Sequence, residues 1–431
     1  MWQDAPNETR REEREVARSC RLISCMTSTP DDIEAWLEGK DAPLDDKPSP
    51  VIERAARLLD ELASARVTSI HLEPSGGEVR VRVRQDGVLR DRERLPRVLA
   101  RPLAARFKVI ARLDICERAL PQEGRIELEG PKGRVACRVL TLPCGSEEVI
   151  DVFALEPPRT ALALSELGLG SDTGRVAVIL EGRGLVLVVG PSGSGKRTVV
   201  DAFLAHAARP ERRAFSIGRG GAPPGTIALE PRPEKDLDVL SLLREAERRE
   251  ANVIALETLR GHDLSERAAV AALDGRLVLA GLPAANARGA IARLQDMGLE
   301  PCIIAESLAL VVASRLLRRL CARCKVKAPP PYRDVLDRLG AAARTRGAWT
   351  EVFSPGGCEA CAGTGYSGVV PVFEVLPIEP LLRAELVSTS DDRERALRAG
   401  AWRPLREAAL EKAREGVTSL AEVARQTPAP G

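Results

Sequence analysis

Aromatic side chains are scarce in this sequence, since only 3% of its 431 residues are Phe, Trp or Tyr. A nucleic-acid surface built on stacked aromatic rings is therefore not expected. Net charge is also nearly absent, because 64 Lys and Arg residues are balanced by 62 Asp and Glu residues, which leaves a formal charge of +2. No long basic run stands out, so we expect no nucleic acid among the partners.

Long hydrophobic runs are lacking as well. The longest apolar stretches are interrupted by Glu181, Arg183 and Glu306, and none approaches the ~20 apolar residues that a membrane helix needs. The first residues, MWQDAPNETRREEREVARSC, are polar and charged, unlike a secretory signal peptide. We therefore expect a cytoplasmic chain without membrane insertion. Translation from Met1 and from Met26 are both consistent with the sequence.

The length and the apolar content predict several domains. Apolar residues make up 44% of the chain, which is the globular range, and 431 residues exceed one compact core. The predicted segments are 1–47, a polar, disordered arm with a short helix at DDIEAWLEG; 48–157, a small α/β domain; 161–320, a larger α/β domain; 321–376, a tetracysteine module; and 377–431, a helical segment with DDRERALRAG and PLREAALEKAREG.

The apolar pattern differs between the two α/β domains. In the small domain, helical spacing from Val51 to Leu62 predicts an amphipathic helix. Alternation predicts strands in VTSIHLEP, EVRVRVRQDGVLR and RVACRVLTLP, with a hairpin at Asp86-Gly87. In the larger domain, near-continuous apolar runs such as GLVLVVG, NVIALE and GRLVLAGL alternate with helical stretches. That second pattern is typical of a parallel sheet covered on both faces.

A glycine-rich loop follows the run GLVLVVG and precedes a predicted helix. Its sequence fits the phosphate-loop pattern GxxxxGK. In such a loop, backbone N–H groups surround phosphate oxygens, the helix N-terminus supplies positive potential and the lysine reaches the β- and γ-phosphates. We therefore predict that this loop binds a nucleotide. The predicted binding residues are Gly190, Pro191, Ser192, Gly193, Ser194, Gly195, Lys196, Arg197 and Thr198.

The residue after the lysine departs from this pattern. The motif places Ser or Thr there because the hydroxyl ligates Mg²⁺, whereas this chain has Arg197. Thr198 is one residue further along, and a helical step of ~100° turns its side chain away from the metal. A cation at this position would repel Mg²⁺, although it could itself pair with a phosphate oxygen. The sequence thus supports nucleotide binding but gives no support for Mg²⁺-assisted turnover.

Two Cys-x-x-Cys pairs form the second chemical motif. They are Cys321 with Cys324 and Cys358 with Cys361, separated by residues 325–357. Four thiolates supplied by two such knuckles fit a closed tetrahedral zinc site, whose role is structural. We therefore predict one Zn²⁺ per chain.

Dispersed motifs from about residue 48 to 425 resemble the type II secretion / type IV pilus assembly ATPase family. The segments that carry the resemblance are SIHLEP (69–74), VRQDGVL (83–89), LDICERALPQEGRI (113–126), RVLTLP (138–143), LVLAGL (277–282), ARLQDMGLEP (292–301), SRLLRRLCARCK (314–325) and GCEACAGTGYSG (357–368). The resemblance implies a RecA-like P-loop domain after a smaller α/β domain. It also implies a hexameric ring of this chain or with a homologous ATPase, and an inner-membrane platform protein as partner.

Several catalytic positions depart from the family pattern. Gly218 and Arg219 stand where the family has the acids of its acidic box, and Pro283 replaces the histidine of its histidine box. Aligned without a gap, the Walker B segment ALETLRG places Thr258 at the catalytic Glu, whereas a one-residue slip makes Glu257 that acid. Both alignments stay open at this point.

Arg248 matches a family arginine that reaches an ATP across the subunit boundary, and the alternative is a solvated helix charge.

The losses concentrate at catalytic positions while fold positions persist. This distribution favours a nucleotide-binding subunit with impaired or absent ATP hydrolysis, placed in the cytoplasm at the inner membrane. The alternatives are an active hexameric motor that powers pilin or pseudopilin assembly and, more weakly, a stand-alone nucleotide sensor. Whether a secretion or a pilus machine is served stays open.

Overall fold

The computed structural model describes residues 50–63, 67–85, 87–130, 133–155, 161–218, 221–232, 235–329, 349, 351–388 and 402–427. The chain divides between Pro157 and Pro158 into two compact units. The predicted arm 1–47 and the predicted helices DDIEAWLEG and DDRERALRAG lie outside the described residues.

The first unit is built on a six-stranded antiparallel sheet with strand order β3-β2-β1-β6-β5-β4. Its elements are α1 (Pro50–Ala63), β1 (Val67–Ser75), β2 (Glu78–Gln85), β3 (Val88–Pro96), α2 (Ala100–Ile110), β4 (Gln122–Gly130), β5 (Gly133–Cys144) and β6 (Glu147–Ala154). Alternating residues of β1 such as Ile70 and Leu72 pack with Phe107 of α2 in one apolar core. The predicted helix and strands of this unit are therefore present.

Strands β4 and β6 were not predicted from the sequence. The segment QEGRIELEG of β4 is rich in Glu and Gly, residues that are depleted in strands. It is nonetheless a strand because β4 pairs with β5 along its whole length, from Gln122 opposite Thr141 to Gly130 opposite Gly133. Tertiary pairing has overridden local propensity here.

The second unit is built on a seven-stranded sheet with strand order β15-β12-β7-β11-β10-β8-β9. All neighbours from β12 to β9 are parallel, and β15 is antiparallel to β12. Its elements are α3 (Thr173–Glu181), β7 (Gly184–Val189), α4 (Lys196–Ala207), β8 (Ala214–Ile217), β9 (Thr226–Leu229), α5 (Val239–Arg248), β10 (Val253–Leu256), α6 (His262–Leu273), β11 (Leu277–Leu282), α7 (Ala287–Asp296), α8 (Pro301–Ser307), β12 (Leu308–Leu320), β13 (Val326–Ala328), β14 (Val352–Ser354), β15 (Tyr366–Pro377), α9 (Pro380–Val387), α10 (Leu405–Arg414) and α11 (Leu420–Gln426).

The central strands of this sheet are buried on both faces. All residues of β7, β10 and β11 are buried. In β7, Leu185 and Leu187 pack into a core with α5 to α8, whereas Val186 and Val188 pack into a core with α3 and α4. The α/β class and the parallel sheet covered on both faces are therefore confirmed.

The C-terminal third is not divided as the sequence predicted. Strand β15 lies within the predicted module 321–376 but pairs with β12 of the large sheet. Helices α10 and α11 of the predicted segment 377–431 pack on the same two strands, through Leu405 and Val423 against Leu317. The three predicted segments thus form one compact unit. None of the helices within the described ranges has the length and apolar content needed to cross a bilayer.

A buried carboxylate joins α11 to β12. Glu422 is 0% exposed and accepts hydrogen bonds from the Arg318 guanidinium at 2.8 and 3.0 Å and from the Arg318 backbone N–H at 3.1 Å. Arg425 donates two more bonds to it, at 2.6 and 2.9 Å. The Arg318 guanidinium also lies 4.0 Å above the ring of Tyr366 in β15. Burial opposes ionisation, but these hydrogen bonds outweigh it and lower the pKa of Glu422.

We expect Glu422→Gln to destabilise the second unit by about 3 kcal/mol, because removing one partner leaves a half-buried guanidinium uncompensated. A lowered folded-state pKa means that the carboxylate stabilises the fold above its unfolded-state pKa and loses this effect as the pH falls through the folded-state value. The difference between variant and wild type in urea unfolding should therefore shrink as the pH falls below the ordinary pKa of a glutamate, about 4.3. Glu415→Gln, at an exposed carboxylate, is the matched control, and equal unfolding midpoints for both variants at neutral pH would contradict the expectation.

Candidate functional site

The glycine-rich loop lies between β7 and α4, at the carboxyl edge of the parallel strands. Gly195 has a φ of 87° and immediately precedes the helix, a left-handed conformation that favours glycine. Gly190 is required by close packing, because a Cβ there would lie 2.3 Å from Ser194 Oγ and 2.8 Å from the carbonyl oxygen of Ser314. The backbone therefore has the tight strand–loop–helix path that a phosphate cradle needs.

The loop lysine is held against the loop itself. Lys196 Nζ donates to the carbonyl oxygens of Gly190 at 2.8 Å and Pro191 at 2.7 Å. Burial lowers the pKa of Lys196, and the nearby positive charge of Arg315 lowers it further. The ammonium group is thus already positioned at the loop, where phosphate oxygens would compete with two carbonyls for its protons.

Strand β12 supports the loop from one side. Ser314 Oγ donates to the carbonyl oxygen of Ser194 at 3.0 Å. The buried guanidinium of Arg315 donates to the carbonyl oxygens of Ser314 at 2.8 Å, of Gln426 at 3.1 Å, and of Ala285. Sequence analysis missed this support, although a charged residue within the apolar run LALVVASRLLRRL was a signal that could have found it.

Arg197 lies in the first turn of α4 on the exposed side of the helix. Its Nε is 3.9 Å from Asp201 Oδ2, one turn further along. Thr198 is half-buried at the next position. A guanidinium has donors only and no lone pair for a metal. The residues at this turn therefore do not fit a loop-bound Mg²⁺.

The end of β10 carries the two candidates for the Walker B acid. Glu257 is the first residue after the strand, is exposed, and makes no side-chain hydrogen bond or ion pair within the described part of the chain, while Thr258 is half-buried. The Glu257 backbone is fixed against β11, because a Cβ on Gly281 would lie 2.4 Å from the Glu257 carbonyl oxygen. In a parallel sheet the strand ends share one edge, so Glu257 lies at the edge that also carries the glycine-rich loop.

The other family positions also carry groups unsuited to acid or base chemistry. Gly218 follows β8 and Pro283 follows β11, both without an ionisable group, and Arg219 lies outside the described residues. Arg248 ends α5, is largely exposed, and forms an ion pair with Glu245 on the same helix. An exposed position is compatible with either predicted role of Arg248.

The four predicted cysteines lie together. Their Sγ atoms all lie within 4.8 Å of one another, with 3.9 Å between Cys321 and Cys358 and 3.7 Å from Cys361 to both Cys324 and Cys358. Four sulfurs ~2.3 Å from a tetrahedral Zn²⁺ would be separated by about 3.8 Å. The backbone N–H groups of Cys358 and Gly365 donate to Cys361 Sγ at 3.3 and 3.2 Å. The donor set and its spacing thus fit zinc.

A hydrogen-bonded Ser-His-Asp chain in the first unit was not predicted. Ser69 Oγ lies 2.9 Å from His71 Nε2, and His71 Nδ1 lies 2.6 Å from Asp151 Oδ1. The order matches a catalytic triad, but Ser69 is only 2% exposed, so a substrate carbonyl could not reach its hydroxyl. These side-chain hydrogen bonds instead join the neighbouring strands β1 and β6, because His71 faces Asp151 in their register.

We expect Cys358→Ser to remove bound zinc and to loosen the β12–β15 end of the large sheet, since metal binding contributes directly to folding free energy. Metal analysis should find one Zn²⁺ per wild-type chain and much less in the variant. Hydrogen exchange should accelerate at residues 315–329 and 351–376. Cys302→Ser, at an exposed cysteine outside the cluster, should keep both properties, and a zinc content well below one in the wild type would contradict the assignment.

We expect Gly190→Ala to destabilise the second unit by about 1–3 kcal/mol, because the added methyl group collides with a buried hydroxyl and a backbone oxygen. Nucleotide affinity should fall with it. Gly174→Ala is the matched control, since a Cβ there meets open space in α3. Thermal unfolding and ATP titration of both variants test this. Equal unfolding temperatures and equal ATP affinities for the two variants would show that the loop can accommodate the methyl group.

Comparison with known proteins agrees with this geometry. The model of the family described as type II/IV secretion system protein matches residues 45–425. Type II secretion system protein E of Dickeya dadantii is 32% identical over 99% of this chain and 84% of the relative. The type IV pilus assembly ATPase PilB of Thermus thermophilus is 33% identical over 84% of this chain and 41% of the relative.

Solved structures share the fold at low sequence identity. The Legionella pneumophila ATPase DotB aligns over 93% of this chain and 98% of its own, with a TM-score of 0.60 and 16% identity. The pilus retraction motor PilT with bound ADP aligns over 88% and 96%, with a TM-score of 0.55 and 19% identity. The family model and the relatives above 30% identity establish that the chain belongs to the family of type II/IV secretion system proteins.

Proposed function

We propose that this chain is a nucleotide-binding subunit of a type II secretion or type IV pilus machine in which ATP hydrolysis is impaired or absent. The observation that carries this proposal is that the phosphate-binding residues are present while the metal-binding position next to them is altered. The loop retains the glycines and the lysine that hold phosphates, whereas the adjoining turn of α4 has Arg197 in place of a metal-ligating hydroxyl.

The retained half of the site is sufficient for binding. Backbone N–H groups at a helix N-terminus and an adjacent ammonium group account for most of the affinity of a phosphate loop. Lys196 is positioned by two carbonyls, and β12 supports the loop through the hydrogen bond from Ser314 to the Ser194 carbonyl. We therefore expect the RecA-like half of the chain to bind ATP.

The altered half of the site lacks what turnover requires. Phosphoryl transfer depends on charge stabilisation by a metal and on a group that orients the attacking water. Arg197 cannot ligate the metal, and Gly218, Thr258 and Pro283 carry no acid or base. By comparison, removing one preorganised electrostatic donor costs about 3 kcal/mol of transition-state stabilisation, so several such losses together would leave hydrolysis near background.

The alternative function is an active motor ATPase in the same machine, and Glu257 is the observation that favours it. Its carboxylate is exposed at the end of β10 and makes no side-chain hydrogen bond or ion pair among the described residues. It could orient a water if a nucleotide brought one within reach. This alternative still requires a metal ligand from outside the first turn of α4.

The proposed setting follows from the family. We infer a cytoplasmic subunit at the inner membrane that assembles as a hexameric ring, either with itself or with a homologous ATPase, beneath a platform protein. The four cysteines would hold a structural Zn²⁺ in each chain. Arg248, on the exposed end of α5, would be available to a neighbouring nucleotide in such a ring.

Steady-state phosphate release by the purified full-length chain tests the proposal. We expect the rate with ATP and Mg²⁺ to match that of Lys196→Ala, the blank that lacks the phosphate-binding ammonium, while ATP still binds to the wild type. Turnover well above the blank would establish the motor instead. In that case Glu257→Gln should abolish the rate if Glu257 orients the water, and Glu266→Gln, at an exposed carboxylate of α6, should not.

A further inference from the structure

Three cationic side chains lie at or beside the glycine-rich loop. Lys196 and Arg315 are near enough for the charge of Arg315 to lower the pKa of Lys196. The negative charge of Glu374 favours the charged form of Arg315. Glu374 is itself buried and accepts hydrogen bonds from Trp402 and from the backbone N–H of Leu405. Lys196 itself has no carboxylate partner within the described residues, because its ammonium group donates to two carbonyl oxygens.

Arg197 adds a third cation that is suited to phosphate. A guanidinium has five donors in a planar fork that matches phosphate oxygens, with positive charge at every pH of interest. Its ion pair with Asp201 spans 3.9 Å on an exposed helix face, and such pairs contribute little free energy. The guanidinium lies on this exposed face, where it can exchange the carboxylate for a phosphate oxygen.

Two features of the loop point to a ligand rather than to a charged surface alone. Ser194 is 4% exposed, yet its Oγ has no hydrogen-bond partner in the described part of the chain. Its Oγ lies against Gly190, within the loop that would surround the phosphate oxygens. The lysine protons are shared with two carbonyl oxygens that such a ligand would displace.

We propose that Arg197 replaces the metal ion as the counter-charge of the bound phosphates, so that the loop selects metal-free nucleoside triphosphate over its Mg²⁺ complex. This inference rests on the proposed function, since it concerns the same nucleotide site. The cationic groups of Lys196 and Arg197 attract the full negative charge of the free nucleotide more strongly than that of the complex, which carries two fewer negative charges. Mg²⁺ also lowers the concentration of the free form by binding it in solution.

Calorimetric titration of the full-length chain with ATP tests this, once with EDTA and once with excess Mg²⁺ at matched ionic strength. We expect apparent affinity to be about tenfold weaker with Mg²⁺, because one charge-assisted hydrogen bond contributes on the order of a tenfold change in affinity. Arg197→Ser should weaken metal-free binding by a similar factor and should make binding tighter with Mg²⁺ than without. Arg197→Lys keeps the charge but loses the planar set of donors, so its metal-free ATP affinity should lie between those of the wild type and of Arg197→Ser.

Arg175→Ser is the matched control, because it removes the same charge from an exposed position of α3 and should behave as the wild type. Tighter wild-type binding with Mg²⁺, or unchanged metal-free binding in Arg197→Ser, would overturn the inference and leave the nucleotide-binding subunit intact. Absence of ATP binding under both conditions would overturn the proposed function as well. The two proposals can thus fail separately.

Discussion

Strand β12 is the constraint on which the rest of the second unit depends. It pairs in parallel with β7 on one side and antiparallel with β15 on the other, which ties the nucleotide loop to the C-terminal part of the chain. Ser314 in its middle donates a hydrogen bond to the loop backbone at Ser194, and the adjacent Arg315 donates to the carbonyl oxygens of Ala285 and Gln426. Three residues later, Arg318 anchors α11 through Glu422. Neighbouring residues of one strand cannot move independently. The glycine-rich loop, the large sheet and the C-terminal helices are therefore coupled through β12.

The sequence predicted the elements whose pattern is local. The buried strands β7, β10 and β11 follow from their apolar runs, the glycine-rich loop from its motif, and the cysteine cluster from its spacing. It missed contacts that join distant segments. Pairing of β15 with β12, the Arg315 hydrogen bonds and the Ser69–His71–Asp151 chain all connect residues whose partners no local pattern specifies.

In this fold, the residues that shape the glycine-rich loop and the residues at the positions of the reactive side chains are under different structural constraints. Gly190 is required by the collisions that any substituent would cause, and Gly193 and Gly195 have left-handed backbone conformations that favour glycine, so the backbone itself requires these residues. Side chains that would bind a metal or orient a water support no such packing. Arg197 is exposed and Pro283 lies on the surface after β11. Substitution at such exposed positions has little cost to the fold, so the impaired turnover that we propose is compatible with an intact architecture.

The cysteine cluster has a consequence for how relatives of this chain can differ. It joins the end of β12 to the start of β15, so the register of those strands is fixed at both ends of residues 325–357, whatever their number. Closing a flexible loop becomes more costly only slowly, by about 0.6 kcal/mol for each doubling of its length. Insertions and deletions between the paired strands β13 and β14 should therefore be tolerated, and this is where length variation between otherwise similar chains should accumulate.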